Sequence, residues 1–205
     1  MRATLGWFLV IMVLLNISAC VNTQSTHFYL LRAMAPVDHS LSLEHKNEGI
    51  SMGLGPVSLP KYLDRPQIVT RISSHEIDLA EFHNWAAPLK ENVSQVLEEN
   101  LSYLLDTQRI VAYPWNRSKS PTYQLSLDIM QLDGTKNQEA VLKVRWTFAK
   151  EEGKKILHQK TSQYIEVPRG PSYEDLVEAM SRILASFSQE IAEALNSGLP
   201  TNSLK

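Results

Sequence analysis

The one cysteine of the 205-residue chain, Cys20, closes the run Leu14-Leu15-Asn16-Ile17-Ser18-Ala19-Cys20. A thiolate is a strong nucleophile that can be alkylated, oxidised or bound to a metal. With no second cysteine, neither a disulfide within the chain nor a zinc site built on paired cysteines can form. The neighbours of Cys20 choose among the remaining reactions. Met1 and Arg2 give a short positive start, Leu5 to Leu15 is apolar apart from Gly6, and the small residues Ser18 and Ala19 come directly before the cysteine. Charge, apolar run and small residues in that order make a secretory signal peptide, here residues 1–19. The apolar run is about half of the ~20 residues that a membrane-spanning helix requires, so a permanent transmembrane helix is not expected.

Ile17-Ser18-Ala19-Cys20 also resembles the lipobox of bacterial lipoproteins. That resemblance implies that the Cys20 thiol takes a diacylglycerol and that the chain is cut just before it. The freed amine then takes an acyl chain such as palmitate, and Cys20 becomes the first mature residue. Buried acyl chains contribute ~0.8 kcal/mol per CH₂, so one chain binds marginally and two or three hold firmly. The competing reading is an ordinary signal peptide whose cysteine happens to lie near the cut. Val21 stands where inner-membrane lipoproteins carry Asp, which by the same resemblance implies transfer to the outer membrane.

Other chemistry is thinner. The six histidines are His27, His39, His45, His75, His83 and His158, and none pair at the helical spacing of a zinc protease. His75-Glu76 with His83 comes nearest to a metal cluster, but a solvated or capping role is the better reading, and no metal is expected. No serine-hydrolase nucleophile elbow is read from the chain, and neither a Walker A loop nor a dinucleotide fingerprint appears. Any ATPase would be another polypeptide. The pairs Glu98-Glu99 and Glu151-Glu152 read as solvent-facing. Tyr62, Leu63, Asp64 and Arg65 sit in one turn, either as a partner-binding tip or, preferably, as a structural turn whose Asp accepts backbone N–H groups. Trp85 is an interface anchor or, preferably, a core residue stapling the chain into a helix.

Removal of residues 1–19 leaves a chain long enough for one domain with a sizeable core. The mature chain keeps 19 basic against 22 acidic residues, so nothing in its charge recommends nucleic acid or anionic lipid as a partner.

The elements that must position these residues follow from periodicity. Val21 to Thr26 is a polar tether after Cys20, and residues 27–198 form the domain, with 199–205 as a tail. His27 to Leu31 reads as a first strand, Pro36 to Gly49 as a loop, and Ile50 to Leu59 as a strand. Gly53 and Gly55 there suggest a bulge or close backbone approach, and Pro56 an edge position or the strand's end. Gln67 to Ile72 is a strand, Ser73 to Glu76 a turn, and Ile77 to Phe82 a short partner strand. Leu89, Val93, Val96, Leu97, Leu101 and Leu104 recur at helical spacing and predict an amphipathic helix from Pro88 to Leu105.

Arg109 to Tyr113 is a short strand and Asn116 to Ser120 an exposed loop. Tyr123 to Ile129 and Ala140 to Phe148 alternate as half-buried strands, with Asp133-Gly134 as the turn between them. Glu151-Glu152-Gly153 turns into a more polar strand, Lys154 to Val167, suited to an edge. Ser172, with Asp175 three residues on, predicts a capped helix start, and Gly198 and Pro200 its end. The wide apolar stripe of that helix is read as core packing, with Glu178, Gln189, Glu190 and Glu193 on its polar face. The expected fold is α+β: an antiparallel-rich mixed sheet with two amphipathic helices packed on one face.

Leu59-Pro60-Lys61-Tyr62-Leu63-Asp64-Arg65-Pro66-Gln67-Ile68-Val69-Thr70-Arg71 is a distinctive run, and Trp85-Ala86-Ala87-Pro88-Leu89 follows eight residues after Ile77. Together with Tyr29-Leu30-Leu31 and the lipobox, these segments resemble the PqiC-like family of ABC-type transport auxiliary lipoproteins, from about Phe28 to Leu195. The resemblance implies an outer-membrane lipoprotein facing the periplasm. It also implies an accessory role, docking a periplasmic MCE-domain protein of an intermembrane lipid-transport system to the outer membrane, with a homo-oligomeric ring as one form of assembly. It carries no catalytic residue and no cofactor beyond the lipid on Cys20, so no enzyme is expected. Two other classes stay open: a lipid-binding module that itself carries phospholipid, and, ranked last, an envelope enzyme.

Overall fold

A computed structural model describes residues 24–34, 51–115, 121–135 and 138–197. The signal peptide, Cys20, the loop Pro36–Gly49, the segment Asn116–Ser120 and the residues from Gly198 onward lie outside the described residues. Among the described residues, eight strands and two helices follow in the order β1 (His27–Tyr29), β2 (Met52–Ser58), β3 (Gln67–Arg71), β4 (Ile77–Trp85), α1 (Leu89–Leu104), β5 (Ile110–Ala112), β6 (Tyr123–Thr135), β7 (Glu139–Lys150), β8 (Lys155–Glu166) and α2 (Tyr173–Asn196).

All eight strands belong to one mixed sheet, and β6 organises it. One edge of β6 pairs antiparallel with β7 along its length, and β7 pairs antiparallel with β8. The other edge of β6 is shared. β2 runs parallel to its first half, with Leu54 opposite Leu125 and Ser58 opposite Asp128. β3 runs parallel to its end, with Thr70 opposite Gly134. The chain from β2 to β3 thus follows a single edge of β6, with Leu59–Pro66 spanning the gap. β5 lies parallel to β2, β4 antiparallel to β3, and β1 parallel to β4.

The alternation of β7 sets the core. Leu142, Val144, Trp146 and Phe148 are buried while Lys143 and Arg145 are exposed, as period-two patterning requires of a sheet covered on one face. α2 packs across β7 and β8, α1 across β2 and β5, and the helices contact each other. Leu97 and Leu101 of α1 join Met180, Leu184 and Phe187 of α2 over Leu125 and Leu142 in one cluster. Complete burial of each such side chain contributes about 1.5–3 kcal/mol. Ser172 caps α2 in a capping box with Asp175, which supplies the first turn with acceptors for its unpaired N–H groups. The carboxyl of Asp175 is held below its usual range by the hydrogen bonds from Ser172.

Two local expectations are corrected. Asp133 and Gly134 are not the turn before β7. They lie within β6, and the reversal comes later, closed by the Gln138 N–H donating to the Thr135 carbonyl at 3.1 Å. Gly134 is required by close approach: a Cβ there would meet the Glu139 carbonyl oxygen and Leu176 Cδ1, each at 2.6 Å. Pro56 does not end its strand, since β2 runs on to Ser58. It lies past the ladder to β5, which covers Met52–Leu54, and a register shift toward β6 between Leu54 and Val57 lets the strand pass the missing N–H. Gly55, at φ +121°, supplies the backbone bend that a side chain would oppose.

Candidate functional site

The run from Leu59 to Arg71 converges on a carboxylate that sequence reasoning assigned to a turn. The Leu63 N–H donates to the Pro60 carbonyl at 2.9 Å, closing a turn that seats Leu63 in the core. Beside it the Tyr62 hydroxyl donates to Asp133 Oδ2 at 2.8 Å, and Arg71 Nε to Asp133 Oδ1 at 2.9 Å. Gln131 Nε2 adds a third bond to Oδ1 at 2.7 Å. The Asp133 side chain is 0% exposed. A carboxylate taken out of water at that depth needs a counter-charge and full hydrogen bonding, and Arg71 with Tyr62 supplies both. Burial, and then donation to Asp133, pushes the Tyr62 phenol up to about 12. The hydrogen bond to Asp133 likewise raises the guanidinium of Arg71. The group therefore closes the gap between β2 and β3 along β6, and it offers no uncommitted base for proton transfer.

The remaining residues of that turn divide. Asp64 is exposed. Arg65 is half-buried, and its Nε is buried without a hydrogen-bond partner among the described residues. Trp85 ends β4 as a core residue, its backbone N–H donating to the Pro66 carbonyl at 2.7 Å. Of the five residues considered for a partner-binding tip, Tyr62, Leu63, Asp64, Arg65 and Trp85, the structure thus turns Tyr62, Leu63 and Trp85 inward. Cys20 lies outside the described residues.

His83 is neither solvated nor a cap. It faces β1 and the start of α2, where Tyr29 Oη lies 2.7 Å from its Nδ1 and its ring stacks on Tyr173 at 4.0 Å. Burial, followed by the nearby Glu174 carboxylate, raises the Tyr29 phenol. His75 stays exposed in the β3–β4 turn, well apart in sequence and setting. Among the described residues no three His, Cys, Asp or Glu side chains gather as metal ligands do.

Two further polar devices escaped the sequence. Asn92 of α1 donates to and accepts from the backbone of Leu31, at 3.2 and 2.7 Å. Asn100 accepts from the Met34 N–H at 2.8 Å and donates to Ser188 of α2 at 3.1 Å. The chain after β1 is thereby held to α1 by side-chain amides in place of a strand partner. Glu190, assigned to the polar face of α2, instead points at the sheet. It accepts from Trp146 Nε1 at 3.1 Å, Ser162 Oγ at 2.6 Å, the Tyr164 hydroxyl and Lys160 Nζ at 3.2 Å. Burial raises its pKa, but the donors from Ser162, Tyr164 and Lys160 outweigh burial and leave it below the usual value. Burial and the bond to Glu190 push the Tyr164 phenol up. Of the carboxylate pairs expected in solvent, Glu151 and Glu152 are exposed, whereas Glu98 is half-buried.

The sheet face away from the helices is open and polar. Ser58, Ser126, Asp128, Arg145, Thr147 and Gln159 line a shallow dip of ≈ 290 Å³. Its groups satisfy one another: Ser58 Oγ donates to Asp128 at 2.8 Å, and Gln159 Nε2 to Thr147 at 3.0 Å. The reading that no nucleophile elbow exists needs correcting at the level of spacing, because Gly49-Ile50-Ser51-Met52-Gly53 has the Gly-x-Ser-x-Gly pattern. The elbow places its serine on a sharp turn from strand into helix. Ser51 instead leads into β2, and its carbonyl accepts the Tyr123 N–H at 3.1 Å as the ladder with β6 begins.

The sequence profile of the family described as ABC-type transport auxiliary lipoprotein component matches residues 29–192. No curated protein matches. Among solved structures, protein XCC0632 from Xanthomonas campestris is similar, with a TM-score of 0.68 at 12% identity, over 84% of this chain and 97% of that one. A second crystal structure, of an uncharacterized protein, superposes with a TM-score of 0.67 at 18% identity, over 84% of this chain and 99% of the other. At these identities the likeness speaks to the fold. Among the described residues no helix is long and apolar enough to cross a membrane.

Proposed function

The chain belongs to the family of ABC-type transport auxiliary lipoprotein components, and on that premise we propose that it is a non-enzymatic docking subunit held by lipid on Cys20 at the periplasmic face of the outer membrane. Membership places the protein in the cell envelope as an accessory of transport. The finer reading is that it joins a periplasmic MCE-domain protein of an intermembrane lipid-transport system to that membrane, as a monomer or as a ring of copies. The observation that carries the proposal is the family match across residues 29–192. The fold is consistent with it. The carboxylates of Asp133 and Glu190 are committed to internal donors, and the open dip is lined by polar groups that bond to one another.

Co-purification from detergent-solubilised envelopes, with crosslinking and mass spectrometry, tests the docking role. Recovery of an MCE-domain protein, crosslinked at Asp64 or Arg65 or along the edge strand β8, is the expected result. A preparation that yields no such protein in several mild detergents, but carries stoichiometric phospholipid, would replace the docking role with that of a lipid carrier.

A further inference from the structure

The β3–β4 hairpin ends in an unusual set of exposed aliphatic side chains. Ile72 is 59% exposed, Ile77 38% and Leu79 41%. A single exposed aliphatic residue needs no explanation, but three gathered at the end of one hairpin call for one. The end is tightly made, with the N–H groups of Ile72 and Ser73 both donating to the Glu76 carbonyl, at 3.0 and 3.3 Å. Ile77 and Leu79 stand opposite Arg71 and Val69 and so share one face of the hairpin, while Ile72 falls to the other by alternation. Ile72 shares that other face with Asp78, so the apolar face of the hairpin is the one that carries Ile77 and Leu79, with Ile72 at the turn beside it.

The direction of β1 says what this end of the hairpin meets. β1 runs parallel to β4, with His27 opposite His83 and Phe28 opposite Asn84. The chain leading into β1 accordingly enters from the hairpin end. Cys20 precedes His27 by a few residues, a reach of at most about 25 Å when extended. Ile77 precedes His83 on β4 by nearly as many, roughly 20 Å of strand. A lipid on Cys20 can thus reach the level of the tip without strain. The other exposed apolar residues near the start of the domain, Phe28 and Leu30, lie further along β1, toward its far end.

We infer that Ile72, Ile77 and Leu79 rest in the headgroup layer of the lipid surface to which Cys20 is anchored. The inference rests on the anchor reading above and adds an orientation to it: the domain stands on its β3–β4 hairpin, at the end of the sheet where β6 passes into β7 and β8 ends. Charge offers this contact no attraction. From Ile72 to Phe82 the charged residues are Glu76, Asp78 and Glu81, with no Lys or Arg, and Arg71 is engaged by Asp133. Binding is by apolar insertion, suits zwitterionic lipid and is insensitive to salt.

The test uses the mature lipoprotein purified from envelopes, carrying Ile77→Cys or Phe28→Cys labelled with an environment-sensitive fluorophore. Acylation at Cys20 leaves the introduced thiol as the only one, and mass spectrometry checks this. The labelled proteins are reconstituted into phosphatidylcholine vesicles containing a nitroxide lipid. The expected result is roughly twofold or greater quenching of the label at position 77, unchanged in high salt, with little at position 28. Equal quenching at both positions, or more at 28, with Cys20 acylated, would overturn the orientation and leave the anchor intact. Finding Cys20 unmodified in the envelope protein would remove the anchor, and the orientation with it.

Discussion

Asp133 and Glu190 are both carboxylates drawn out of water into a ring of donors, yet they are neutralised in different ways. The Asp133 side chain is fully buried and meets a guanidinium, Arg71, from the end of a neighbouring strand. Glu190 keeps 21% exposure, and its cationic neighbour, Lys160, is half in solvent. Its other donors are neutral: an indole N–H, a serine and a tyrosine. The first site joins β2, β3 and β6 where the sheet edge changes strands. The second fastens α2 to β7 and β8. A charge matched inside a protein stabilises only as long as both members stay, whereas a charge near water with neutral donors can lose its sign and keep most of its bonds.

Substitutions break this contrast in order of size. Asp133→Ala leaves the Arg71 cation facing an emptied site, and the expected loss is ~3–5 kcal/mol in urea unfolding. Asp133→Leu combined with Arg71→Met should recover much of that loss, since an apolar pair of similar volume avoids the desolvation cost. Glu190→Gln keeps the shape and costs less, about 1–3 kcal/mol. It should also alter the acid limb of stability. The folded pKa of Glu190 lies below its ordinary value of 4.5, so its contribution is whole above that value and is lost as pH falls through the lowered one. Glu190→Gln should flatten that limb in pH-dependent unfolding.

Tyr62→Phe should cost about 1 kcal/mol near neutral pH and act on the opposite limb. The folded Tyr62 holds its proton up to about 12, against 10.0 when unperturbed. Its contribution is therefore full below pH 10 and is lost as pH climbs toward 12, and the phenylalanine variant should show a shallower alkaline decline. Tyr164→Phe is the matched control from the Glu190 site. The smallest effect is expected at Arg145, whose contact with Asp128 at 3.7 Å joins two half-exposed side chains. Arg145→Ala should move the melting curve by no more than ~0.5 kcal/mol.

The same contrast marks what could be read from the residues alone. α1, α2 with its capping box, and the β6–β7–β8 meander were legible, because their apolar periods of 3.6 and 2 are local properties. The bend at Gly53 and Gly55 was legible for the same reason: glycine is selected by the backbone at its own position. Asp133 was not. Asp-Gly ordinarily marks a reversal, and the partner that holds this Asp in a strand, Arg71, lies 62 residues away. Glu190 was assigned to solvent because a carboxylate on a helix usually faces it, and only β8 supplies the donors that turn it inward. The parallel pairings of β1, β2 and β3 were equally hidden, since a short strand carries no mark of its neighbour. Trp85 reads as an interface anchor or as core, and Leu63 as part of a binding tip or of a structural turn; the burial of both follows from the splice that Tyr62 and Arg71 make with Asp133.

The claim on which function depends is that the folded domain is an accessory held to a membrane by one covalent lipid. Its most direct test is envelope fractionation of a variant in which a cleavable, non-lipoprotein signal replaces residues 1–19 and Cys20 is changed to Ser, with a melting curve on the purified domain. The expected result is release into the soluble periplasmic fraction with an unchanged melting temperature. A variant that stays with the membrane through a high-salt wash would contradict it.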